Sequence, residues 1–189
     1  MTGISALPQQ LQQRLLAELR PGEMVSWVGQ PRPDRFMRTG FKLWFFFIPW
    51  TAFAIFWMGG AAGFRLPDFS GAWSFFPLFG LPFVLIGLGG LSSPFWLRRK
   101  ARSMIYAITS ERAISIEGAR SITVVSYRPE DLVSVERTEH QDGSGDLILV
   151  SENYKDSDGD RQTRKRGFFA IDNVRKVAQL IEAMQAASR

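Results

Sequence analysis

Two stretches of this sequence carry no charge, and they constrain the fold more than any other feature. Leu43 to Phe64 is a run of 22 residues and Phe69 to Leu97 a run of 29, with Arg65 and Asp68 the only charges between them. A helix of roughly 20 apolar residues crosses the hydrocarbon core of a bilayer. A pair of buried core helices is the alternative. It fails because neither run has a polar face and a 189-residue chain cannot bury two such helices on every side. A cleaved signal peptide fails as well. The first run starts at Leu43, is too long for a signal h-region, and no small-residue cleavage site precedes the second run. The sequence therefore predicts two membrane spans, about 43–64 and 73–97, forming an antiparallel hairpin over residues 43–97.

Composition supports this division. Thirteen of the 16 Phe lie between Phe41 and Phe95, and five of the 6 Trp between Trp44 and Trp96. The mean hydropathy of −0.05 averages an aromatic hairpin with polar flanks. The net charge of +5 divides into +3 for residues 1–42, zero for 43–97 and +2 for 98–189. Arg35, Arg38 and Lys42 precede the first span, with Arg32 further upstream. Arg98, Arg99, Lys100 and Arg102 follow the second. Basic residues stay on the cytoplasmic side, so both termini are expected inside, with these side chains at lipid headgroups and a short loop outside. Trp44, Trp73 and Trp96 fall near the span ends, where indoles favour the interface. The excess charge is thus a topology signal and not the footprint of a nucleic-acid binder.

Neither span holds an ionisable residue, which argues for an anchor over a transporter or channel. Pro77, Pro82 and Pro94 predict kinks in the second span. Gly59 and Gly63 form a GxxxG pair near the outer end of the first span, and Gly87 is a small residue in the second. These read as helix-packing positions, within the hairpin or against another membrane protein or a second copy.

The flanks read differently. Leu7, Leu11, Leu15, Leu16 and Leu19 recur at helical spacing and predict a short amphipathic helix ended by Pro21-Gly22. Its polar face is Gln-rich, which favours docking on protein over lipid. Met24 to Val28 predicts a strand, and since a lone strand is unstable, it is expected to join the C-terminal sheet. Beyond residue 103, six strands are expected: Ser103–Ile108, Arg112–Glu117, Ile122–Tyr127, Leu132–Glu139, Asp146–Tyr154 and Arg161–Ile171. The fourth carries Leu132, Val133 and Val135. The last two make a hairpin around Asp158-Gly159. A final helix is expected to be capped by Asp172 and to bury Val174, Val177, Ala178, Ile181 and Met184. The fold class is α+β: a two-helix transmembrane hairpin plus a small antiparallel sheet or partly open barrel with a C-terminal helix. The segments are 1–42, 43–97 and 98–189.

This order resembles bacterial membrane-anchored pleckstrin-homology-like (PH-like) domains. Tyr106-Ala107-Ile108-Thr109-Ser110-Glu111-Arg112 is similar to the family's Tyr-x-Ile-Thr-x-x-Arg opening hairpin. Arg128-Pro129-Glu130-Asp131-Leu132 through Val135, and Asp142-Gly143-Ser144-Gly145-Asp146-Leu147, resemble its middle strands and a turn of some members. Gly22-Glu23 to Gly29-Gln30-Pro31, ahead of two spans, fits anchored members. The resemblance covers 103–184 and loosely 20–100. It implies a PH-like sheet with a C-terminal helix and no catalytic activity. The basic headgroup cluster of eukaryotic members has no residue-by-residue counterpart here.

Chemistry-bearing clusters are sparse. The absence of Cys excludes disulfides and thiolate chemistry, and the single His140 excludes any site needing two imidazoles and argues against a His-based zinc site. Asp156, Asp158 and Asp160 around Gly159 suggest a calcium loop, but the frame puts Tyr154 and Lys165 where carboxylates are required, so a solvated hairpin tip is expected. Asp142 and Asp146 are read as turn residues rather than an acid–base pair, and His140 as a solvated loop-edge residue. Gly143-Ser144-Gly145 is too short for a phosphate loop. Arg161, Arg164, Lys165 and Arg166 make a basic strand, suited either to anionic lipid or a partner, or to protecting a sheet edge by charge.

The sequence therefore predicts no catalytic, cofactor or metal residue, no nucleic-acid partner and no small-molecule substrate. It predicts a multi-pass inner-membrane interaction module contacting lipid and a membrane-protein complex or a homo-oligomer. An anionic-lipid sensor and a membrane-surface enzyme are the alternatives.

Overall fold

The computed structural model describes residues 4–64, 72–118, 121–132 and 135–188. Arg65, Asp68 and Val133 lie outside the described residues, as does the Trp73 side chain. In chain order the elements begin with a 3-10 turn Ile4–Ala6, α1 Gln9–Glu18, β1 Val25–Gly29, α2 Pro33–Phe36 and a 3-10 turn Met37–Gly40. There follow α3 Phe41–Ala61, a 3-10 helix Ala72–Gly80, α4 Leu81–Leu91 and α5 Ser93–Ala101. The chain then forms β2 Ile105–Thr109, β3 Ala113–Glu117, β4 Thr123–Tyr127, a 3-10 turn Pro129–Asp131, β5 Glu136–Glu139, β6 Gly145–Lys155, β7 Arg161–Ile171 and α6 Val174–Ala187. Two compact units result: Met1–Phe36 with Arg99–Arg189, and Met37–Arg98.

The first unit is α+β and is assembled from both flanks of the charge-free region. β1 pairs antiparallel with β2, opposing Val28 to Ala107 and Gly29 to Tyr106, so the upstream strand does join the downstream sheet. That sheet runs β1-β2-β3-β4, and a second runs β5-β6-β7, every pairing being antiparallel. The two sheets are separate and do not close into a barrel.

Every residue of β2 is buried, because its period-2 alternation feeds two cores. Ile105 and Ala107 face α1, packing with Leu7, Leu11 and Leu15 and with Ile114 and Ile116 of β3. Tyr106 and Ile108 face the larger core with Leu147, Leu149 and Phe168. The leucine face of α1 therefore docks on protein, while Leu16 stays 54% exposed. Trp27, Phe168 and Tyr106 stack in one column, with centroids 5.8 and 4.7 Å apart. α6 closes the larger core with Val174, Val177, Ala178, Ile181 and Met184, the five residues its periodicity marked.

Two local expectations are corrected. Asp172 does not cap α6. The N-cap is Asn173, in the left-handed conformation at φ 50°, and Asp172 instead faces Arg32 at 3.5 Å. The fourth strand starts at Glu136, because Pro129 opens a 3-10 turn closed by the buried Leu132.

The second unit is a helical hairpin with its polarity inverted. Two stretches, Pro33–Ala61 and Phe76–Ala101, are long and apolar enough to cross a membrane, and only 11% of each apolar window is buried. Large side chains point outward: Phe45, Phe53 and Phe56 are 62%, 67% and 67% exposed. What lies between the helices is small or hydroxylated: Thr51 and Ala54 from α3 and Gly87 from α4. A Cβ at Gly87 would collide with Thr51, one at Gly90 with Phe47, and one at Gly80 with Met58. These close approaches are how apolar helices associate without a hydrophobic driving force. The GxxxG pair does not form a helix face, because α3 ends at Ala61 and Gly63 takes φ +61° beyond it. Gly59 instead meets the ring of Phe64.

Two polar groups of the hairpin are satisfied internally, while the buried Ser93 Oγ has no hydrogen-bond partner among the described residues. Thr51 Oγ1 donates to the Phe47 carbonyl at 2.7 Å and Trp50 Nε1 to the Phe83 carbonyl at 3.1 Å. The second stretch is not one continuous helix. It begins inside the nine-residue 3-10 helix Ala72–Gly80, which contains Pro77, and Pro82 and Pro94 open α4 and α5, where a missing N–H breaks the i→i−4 ladder least.

Candidate functional site

The first unit carries a broad groove, about 860 Å³, between the end of β4 and the C-terminal part of α6. One wall is the β2–β3 turn with Glu111, Arg112 and Arg20, and another is the Arg128–Glu130 turn. Leu132, Gln185 and Ser188 complete it. Gln185 Nε2 donates to the Leu132 carbonyl at 2.7 Å and ties α6 to the groove. Its arginines are balanced: Arg20 pairs with Glu111 at 3.1 Å and Arg128 with Glu130 at 3.2 Å. The surface is polar with no uniform sign, which suits a protein or peptide better than a polyanion.

Beneath this groove lies the best-built polar network of the molecule. Glu23, just before β1, has a side chain with no solvent exposure, and Arg112, on the β2–β3 turn, is 12% exposed. Arg112 Nε and Nη2 donate to the two carboxylate oxygens at 2.9 and 3.1 Å. The Thr109 hydroxyl donates at 2.7 Å and the Arg20 backbone N–H at 2.8 Å. Arg112 also donates to the Glu18 carbonyl at 2.7 Å and to Ser126 Oγ at 2.9 Å. Burial pushes the Glu23 carboxyl up, but the hydrogen bonds from Arg112, Arg20 and Thr109 and the Arg112 charge outweigh it, leaving the pKa at about 2. Thr109 and Arg112 belong to the Tyr-x-Ile-Thr-x-x-Arg motif. Their work in this fold is to hold the segment before the hairpin against the turn after it. Neither composition nor spacing marks Glu23 as their partner.

The other sequence-marked residues are distributed as follows. Asp142 accepts from Ser144 N and Oγ at 3.3 and 2.7 Å, and from Arg32 at 3.2 Å and Arg35. The Ser144 hydroxyl leads in holding its carboxyl well below the usual carboxylate range, with Arg35 adding to it. Asp146 accepts the Ala170 N–H at 2.7 Å, at a residue held at φ 53°. The two aspartates thus serve separate backbone tasks. His140 takes part through its backbone, which closes the same turn with Ser144 and Gly143. Asp156 accepts from the N–H groups of Asp158 and Asp160 at 3.1 and 2.9 Å, in a turn with Gly159 at φ +87°.

The basic strand is largely engaged with its own sheet. Lys165 pairs with Glu136 at 3.0 Å, Arg166 with Glu152 at 3.5 Å, and Arg164 lies 4.9 Å over the Tyr154 ring. Arg161 has no such partner among the described residues. Of the residues flanking the spans, Arg35 is held by Asp142 and Lys100 by Glu117 at 3.1 Å. Arg38, Lys42, Arg98, Arg99 and Arg102 make no ion pair among the described residues. Compared with family models, with curated proteins and with solved structures, the chain matches none.

Proposed function

We propose that this chain is a non-catalytic interaction module held in the bacterial inner membrane by its hairpin. Its PH-like unit and both termini lie on the cytoplasmic face, where it binds a protein partner as an accessory or scaffold component. The observation that carries the reading is that one folded unit, built from both flanks of an apolar hairpin, presents a broad mixed-charge groove beside its C-terminal helix. β1 precedes the hairpin and pairs with β2, which follows it, so both flanks belong on one side of any membrane the hairpin enters. Arg38, Lys42, Arg98 and Arg99, without an ion pair among the described residues, favour the cytoplasmic side and headgroup contact. Antiparallel sheets closed by an amphipathic C-terminal helix support the PH-like resemblance. Engagement of Arg164, Lys165 and Arg166 within their own sheet favours a protein partner over an anionic-lipid sensor.

Site-specific photocrosslinking in native membranes tests this. A photoreactive residue at Glu130 or Ser188, in the groove, is expected to capture one discrete protein, and one at Thr163, on the ribbon, is not. Capture of lipid alone at the groove positions would contradict the reading.

A further inference from the structure

Residues 32–36 carry the chain from β1 to the hairpin, and Met37 already belongs to the second unit. They lie as a strap on the α/β unit. Pro31 and Pro33 have no N–H, so Arg32 supplies the backbone donor of that tripeptide, and it reaches the Ala170 carbonyl at 2.7 Å. Ala170 presents that carbonyl opposite a register shift in β6, at φ 53°, a left-handed conformation that is costly for a residue with a Cβ. The Arg32 guanidinium lies against Asp34, Asp142 and Asp172 at 3.1, 3.2 and 3.5 Å, and Arg35 lies against Asp142. Phe36 packs, partly buried, on the larger core.

Two clamps hold the chain ahead of the hairpin, and they differ in strength. Upstream, the Glu23 side chain has no exposure and Arg112 only 12%. At the strap, the side chains of Arg32 and Asp142 are each 36% exposed and that of Asp172 is 65% exposed. Exposed ion pairs contribute little each and are screened by salt. α2 is a single turn of four residues, too short to hold itself. We infer that residues 32–36 are a charge-operated latch, which opens as a unit while both sheets stay folded. Local opening draws on segments with few buried contacts and exposed hydrogen bonds, and the strap is such a segment. Asp142 is the keeper, because it holds both arginines from outside the strap, whereas Asp34 lies inside the strap and moves with it. Opening turns a fixed strap into a free linker between β1 and the hairpin, and closing shortens that linker again. None of these residues lines the groove beside α6, so the latch does not depend on what the groove binds.

Amide hydrogen exchange of the full-length chain in detergent tests this, read on a peptide covering 32–36 and on one covering β2. In the wild type the strap is expected to exchange roughly a hundredfold faster than β2. Asp142→Asn keeps an acceptor for Ser144 but removes the charge that holds the arginines. It should speed exchange of the strap by roughly tenfold and leave β2 unchanged. Asp34→Asn removes the same charge from the same Arg32, yet cuts no link to the rest of the unit, and should change the strap by less than roughly twofold. Raising salt from about 0.05 M to about 1 M should speed the wild-type strap by roughly threefold, and the Asp142→Asn strap by less. A strap that exchanges no faster than β2, or that ignores salt, would overturn the inference. So would equal acceleration by both variants, or β2 accelerating together with the strap in Asp142→Asn.

Discussion

The two units use the same apolar residue types in opposite places. In the α/β unit the large side chains are inside: Tyr106, Phe168, Leu147 and Ile181 have essentially no exposure. In the hairpin they are outside, and the contact between helices is made by Gly87, Thr51 and Ala54. Water drives the first arrangement, since burying apolar area contributes about 25 cal/mol per Å². In the proposed lipid surrounding that driving force is absent, and the hairpin would be held by close backbone approach. The lesson is that a phenylalanine has no fixed structural meaning. Its surrounding solvent decides whether it is core or surface.

Several substitutions put this contrast under strain, and the largest effect is expected where the two flanks join. Deleting residues 4–29 strips α1 and β1 from the sheet and uncovers Ile105, Ala107, Ile114 and Ile116. The α/β unit should then fail to fold, seen as loss of its strand circular-dichroism signal. A variant that keeps its stability would show that the upstream segment is an accessory. Next, Phe168→Ala removes the middle ring of the aromatic column and should cost about 3–5 kcal/mol in denaturant unfolding. Phe53→Ala, on the outer face of α3, should cost less than about 1 kcal/mol. Similar costs for both would end the inside-out comparison.

The buried Glu23–Arg112 pair comes third. Removing one partner of such a pair costs about 3–5 kcal/mol, because it strands the other, so Glu23→Ala should lower the unfolding midpoint substantially. The same group sets an acid limit. Its folded pKa, about 2, lies below the ordinary 4.5, so its contribution is complete above pH 4.5 and is lost as pH falls through 2. Wild type should lose about 3 kcal/mol over that window from this group. Glu23→Gln, already without the charge, should show a correspondingly flatter acid limb. Smallest is the hairpin seam. Gly87→Val forces a side chain against Thr51 and should cost about 1–3 kcal/mol, read from thermal unfolding in detergent. Gly89→Val meets nothing within 4 Å and should be neutral.

Much of this architecture is legible in the residues. Runs without charge mark the hairpin because length and polarity alone decide the cost of a span. α6 is legible because Val174, Val177, Ala178, Ile181 and Met184 repeat at 3.6 residues. The addition of β1 follows from the instability of a lone strand. Legibility ends where long-range pairing or backbone detail takes over. Glu23 and Arg112 are 89 residues apart, and no local pattern couples them. Gly59 and Gly63 have the right spacing for a packing motif, but spacing does not reveal that the helix ends between them. Asp172 is a good capping residue by type, yet the left-handed Asn173 takes the position. As for the candidate site, no local pattern marks the groove beside α6. Its lining comes from four segments distant in sequence.

The account rests most on one folded unit drawing on both flanks of a hairpin proposed to enter the membrane. Single cysteines in the cysteine-free chain test this directly, using a membrane-impermeant maleimide on intact spheroplasts. Met24→Cys, before the hairpin, and Asp158→Cys, at the ribbon tip, should both stay unlabelled until the membrane is permeabilised. Ser70→Cys, between the spans, should label at once. Opposite behaviour of Met24→Cys and Asp158→Cys, or no labelling difference for Ser70→Cys, would contradict the account.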